Sequence, residues 1–96
     1  MEALIRKTYE NVAQKFSLSH EQLLRKSLKS YLLSRKREFM SEKFEILSRY
    51  VVTSINELEE QIKQGALPEH PSWEDLIDLK NLETEIQSIQ DDIDYL

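Results

Sequence analysis

Ninety-six residues with no Cys, one Gly, two Pro and a formal net charge of −5 predict one domain with a thin core, because a chain this short buries only about two thirds of its unfolded surface. The missing Cys excludes a disulfide framework and thiolate zinc sites, and His20 and His70 stand too far apart in the chain to suggest metal-ligand spacing. No apolar run approaches the roughly 20 residues of a bilayer span and no signal-peptide stretch opens the chain, so a cytoplasmic protein without membrane partner, metal or cofactor is expected.

Scarce Gly and Pro, with abundant Leu, Glu, Lys and Gln, predict an all-α fold. The expected form is a three- or four-helix protein with a long central helix or helix pair and a C-terminal heptad-like helix. Leu4, Ile5, Tyr9, Val12, Ala13 and Phe16 fall at helical spacing and predict a first helix ending near Phe16. Ser19 and Gln22 have the form of a capping box, which starts the second helix there. Its apolar stripe is Leu23, Leu24, Leu28, Tyr31 and Leu32, resumed by Phe44, Leu47, Val51, Ile55, Leu58 and Ile62 after the polar run 34–38. The run 19–64 reads either as one rod or as two helices. A break near Val52 is favoured, because Thr53 or Ser54 can cap a new helix with Glu57 three residues after Ser54.

Residues 65–71 predict a linker, in which Gly65 suits a helix C-cap and Pro68 and Pro71 each lack a backbone donor. Ser72 and Asp75 offer a cap for the last helix. There Leu79, Leu82, Ile86, Ile89, Ile93 and Leu96 step by three and four, an a/d seam that wants another helix along its length. Ordinary core is one reading of that seam. The other, expected from the thin core, is a homodimer seam built from Leu79, Leu82, Ile86, Ile89 and Ile93.

Charge divides the chain. Residues 1–37 hold nine Lys/Arg against three Asp/Glu, and residues 38–96 hold four against fifteen, which suggests a head for a polyanion and a tail for a basic partner. The segment 12–23 matches the packing pattern of a helix-turn-helix, with Ala13 letting the second helix approach the first and Ser17 standing where Gly is usual. The exposed start of that second helix carries His20, Gln22, Arg25, Lys26 and Lys29, residue types that read base edges or neutralise phosphates of double-stranded DNA. A solvated basic face is the plain alternative. A ribbon-helix-helix ranks lower, since its pairing strand would have to come from residues 1–8, which alternate poorly.

The segments Tyr50 to Gly65 and Pro68 to Ile77, including Trp73-Glu74-Asp75-Leu76-Ile77, resemble antitoxins of type II toxin–antitoxin pairs over about the last half of the chain. Members often carry Gly at the place of Val52, so this chain departs from them at that turn. The resemblance implies an operator-binding N-terminal region and a C-terminal region covering a basic, RNA-cleaving toxin. Trp73, Leu76 and Ile77 would supply an apolar anchor and Glu74, Asp75 and Asp78 the steering charge, although a lone Trp beside a loop more often anchors the last helix onto its own core. No phosphate loop, Cys nucleophile or Ser/His/Asp grouping is present, so an enzyme is not expected. The expected function is an antitoxin-like DNA-binding regulator. The alternative is a structural or adaptor helical protein that homodimerises through its last helix without binding DNA.

Overall fold

Three helix ends in this chain close with the same hydrogen-bond pattern, and they cut the sequence into its elements. The computed structural model describes residues 2–96, which form α1 (Glu2–Lys15), α2 (His20–Arg49), α3 (Ile55–Lys63) and α4 (Glu69–Asp94). No strand occurs among the described residues. The fold is all-α. Residues 2–8 belong to α1, which removes the strand of a ribbon-helix-helix; Met1, the remaining residue of that segment, lies outside the described residues.

After α1, the amides of Ser17 and Leu18 donate to the carbonyls of Gln14 and Ala13 at 3.2 and 2.8 Å. After α2, Val51 and Val52 donate to Ser48 and Leu47 at 3.3 and 3.4 Å, and after α3, Gly65 and Ala66 donate to Ile62 and Gln61 at 3.1 and 2.9 Å. Each is a Schellman closure, which needs its first donor residue in the left-handed region. Ser17 and Val51 both have φ 55° and Gly65 has φ 74°. Only the glycine adopts that geometry without cost.

Helix starts follow the predicted caps at two of three places. The Gln22 amide donates to Ser19 Oγ at 3.0 Å and the Ser19 amide to Gln22 Oε1 at 2.8 Å, a complete capping box. Ser54 Oγ accepts from the Glu57 amide at 3.1 Å, while the Glu57 carboxylate takes the Thr53 amide and hydroxyl at 2.9 and 3.1 Å. The chain therefore breaks where the Val52 expectation places the break. The last helix departs from expectation, because Ser72 is buried and its hydroxyl donates to the carbonyls of Pro68 and Glu69 instead of capping. Its regular part starts at Pro71, after His70 in extended geometry (φ −107°, ψ 131°), since a proline without N–H suits the first helical position.

The turn at residues 64–68 sends α4 back along α2. Contacts between Tyr50 and Asp75, Lys43 and Glu83, and Lys36 and Gln90 fix an antiparallel register. The core lies near the α3 end, where Ile46, Leu47, Val52, Leu58, Leu76, Leu79 and Leu82 pack together, with Phe39, Tyr50, Ile55, Ile62 and Leu67 against them. Leu79, Leu82 and Ile89 are buried within this single chain, and Ile86 and Ile93 are half-buried there. Much of the row expected as a homodimer seam is thus packed within the single chain. The physical reason is proximity, since a short turn holds α4 next to α2 at a far higher effective concentration than a second molecule reaches.

The molecule is long, 60 × 26 × 17 Å with a radius of gyration of 19.8 Å, against about 12 Å for a compact chain of this length. Leu79→Ala should cost about 3 kcal/mol, because the side chain is fully buried in a core with little depth to absorb a cavity; urea titration measures it, and a loss below about 1 kcal/mol would contradict the seam as core. Val51 is 90% exposed while held at φ 55°. Val51→Asn should therefore raise stability by about 1 kcal/mol, because Asn tolerates the left-handed region and little packing is lost.

Candidate functional site

The side chains assigned by sequence to duplex DNA are mostly engaged with their own turn. The His20 ring meets the Tyr9 ring edge-on, with centroids 5.0 Å apart, and the Tyr9 hydroxyl donates to the His20 carbonyl. Gln22 spends its carboxamide oxygen in the capping box, and Arg25 pairs with Glu21 at 3.0 Å. Lys26 and Lys29 are exposed. They line a recess with Ser19, Glu21, Gln22, Arg25 and Leu96.

That neighbour changes the meaning of the charge split. The antiparallel register brings the acidic end of α4, with Asp91, Asp92 and Asp94, beside the basic stretch of α2, and Lys36 Nζ donates to Gln90 Oε1 at 2.6 Å. Head and tail are separate in sequence but overlap in space. The head, residues 2–28, holds five Lys/Arg against three Asp/Glu.

The six residues assigned to a partner also divide. Leu76 belongs to the core. Asp75 accepts the Tyr50 hydroxyl and lies 3.6 Å from Arg49, so it clamps the end of α2. Trp73 and Ile77 remain 48% and 46% exposed, one turn apart, with Glu74 and Asp78 exposed beside them. Across the core, Glu59 accepts from Lys80 Nζ at 3.1 Å, and this bond with the Lys80 charge holds its carboxyl below the usual range, Lys63 adding to the effect.

The other end of the molecule has almost no interior. Of residues 2–31 only Ala13 is buried, and it sits where the chain turns from α1 into α2. Leu4, Ile5, Thr8, Tyr9, Val12, Leu23 and Ser27 line an open, mainly apolar groove between the two helices. Leu24, Leu28 and Tyr31, spaced by four and three, form a further exposed apolar row. The sequence shows that stripe plainly. It does not show that nothing in the chain covers it, which follows only from the register that ends α4 beside Lys29.

Among the described residues no group of three or more His, Cys, Asp or Glu could hold a metal ion, and no helix is long and apolar enough to cross a membrane. A family model, that of the uncharacterized protein MJ0235 family, matches residues 1–96. The chain belongs to that family. No curated protein and no solved structure matches it.

The Asp75 clamp has a pH signature. Partial burial, then the hydrogen bond to Asp75 and its negative charge, push the Tyr50 hydroxyl up from 10.0 to about 12. The folded state keeps this proton when the unfolded chain has lost it, so the clamp contributes fully below pH 10.0 and is lost as pH rises towards about 12. Urea midpoints between those limits should fall more steeply for the native protein than for Tyr50→Phe; parallel curves would contradict the clamp.

Proposed function

We propose that the protein is a non-enzymatic helical adaptor whose working surface is the α1/α2 head. The observation that carries this reading is the burial of Ala13 alone among residues 2–31. Helices in water owe most of their stability to an apolar face packed on something. A two-helix head with an open apolar groove is half of such an arrangement, and a partner supplies the other half. The remainder of the chain, with its own core, serves as a rigid stem that holds the head away from α3 and the start of α4.

A dilute, unpartnered chain should therefore exchange the amides of α1 about 1,000-fold faster than those of the buried α4 turns around Leu76 and Leu79. Equal protection of α1 and α4 in the isolated monomer would reject the proposal.

A second reading is the antitoxin-like DNA-binding regulator. It is supported by Ser17 in the left-handed conformation, Ala13 buried beneath the turn, and Lys26 and Lys29 exposed on α2. On that reading Trp73, Ile77, Glu74 and Asp78 face a basic toxin. Against it stand the internal engagement of His20, Gln22 and Arg25 and the small net charge of the projecting head. The second reading requires duplex binding that weakens steeply with salt through counterion release and disappears in Lys26→Glu/Lys29→Glu; no retardation of duplex at low salt would exclude it.

A further inference from the structure

We propose that the molecule completing the head is a second copy of this chain, two α1/α2 heads packing into a four-helix bundle; this rests on the adaptor reading above. Exposure supports it. Leu4, Ile5, Leu24, Leu28 and Tyr31 are all exposed, between 44% and 71%, beside a mainly apolar groove, and a second copy would withdraw these large side chains from water together, as a stable interface does with roughly 800 Å² per partner.

Charge also favours a second copy over a strongly charged partner. Residues 2–28 carry both signs interspersed, five Lys/Arg and three Asp/Glu, so that two heads meet without strong repulsion and can match opposite charges around the rim. Residues 29–96 hold eight Lys/Arg against fifteen Asp/Glu. Side-by-side pairing of these acidic stems would bring like charges together along their length, which pairing through the heads avoids.

Such a dimer differs from one built on the α4 seam, which the chain uses for its own core. It also gives α1 a role that its slight packing against α2 leaves unexplained: α1 supplies Leu4, Ile5, Thr8, Tyr9 and Val12 to the groove wall.

Sedimentation of the full chain over a range of concentrations, combined with hydrogen exchange of the head amides, tests the proposal. The expected mass is twice the 11.4 kDa of one chain, with α1 protected in the dimer. Leu4→Glu/Ile5→Glu changes two side chains already exposed in the monomer, so its fold should survive while dimerisation weakens about 100-fold or more. Trp73→Ala/Ile77→Ala, at the far end of the rod, should leave the dimer intact. A monomer at all concentrations with an unprotected head would overturn the second copy while leaving the adaptor reading standing, and a monomer with a protected head would overturn both. A dimer that survives Leu4→Glu/Ile5→Glu, or that is lost in Trp73→Ala/Ile77→Ala, would overturn the head as its interface.

Discussion

Asp75 accepts the Tyr50 hydroxyl and stands 3.6 Å from Arg49, and this clamp fixes where α4 begins its run back along α2. Every later pairing depends on that starting point. With Asp75 at the end of α2, Lys43 reaches Glu83 and Lys36 reaches Gln90, while Leu76, Leu79 and Leu82 enter the core with Ile46 and Leu47. Polar pairs at such partly exposed positions contribute little stability individually. Their value is register, because a slip by one residue would rotate the leucine row away from α2 by a quarter turn or more.

The same register sets how far α4 extends. It ends beside the Arg25–Lys29 stretch of α2, so the first turns of α2 and the whole of α1 project without a core. Two regimes result: a stem with leucines wholly withdrawn from water, and a head in which Ala13 alone is buried. Small domains commonly resolve such a shortage of core by association. Because α1 is the part most lightly held, its order and its binding are expected to be linked.

Local signals were legible in the sequence where a side chain makes them. Ser19, Gln22, Ser54 and Glu57 mark helix starts because their oxygens satisfy particular amides, and Gly65 marks an end because it enters the left-handed region freely. Ser17 and Val51 end helices in the same way without being glycine, so residue type alone conceals them. For Ser17 the Schellman closure accounts for the positive φ without any DNA-binding motif. Ser72 looks like a cap, yet Pro71 takes the first helical position and leaves the hydroxyl to bond backward to Pro68.

The site was less legible because it depends on long-range placement. The 3,4 row from Leu79 to Ile93 is the same whether its partner is α2 or another molecule, and only the turn at residues 64–68 decides. The charge split reads as two separate ends until the antiparallel stem lays one along the other. The account's central claim, that the head is unfinished in a single chain, is tested most directly by small-angle scattering with absolute calibration. It predicts a particle of twice the chain mass whose longest dimension clearly exceeds the 60 Å of one molecule. A particle of 11.4 kDa with the 19.8 Å radius of gyration of the lone rod, unchanged at high protein concentration and with its head fully ordered, would contradict it.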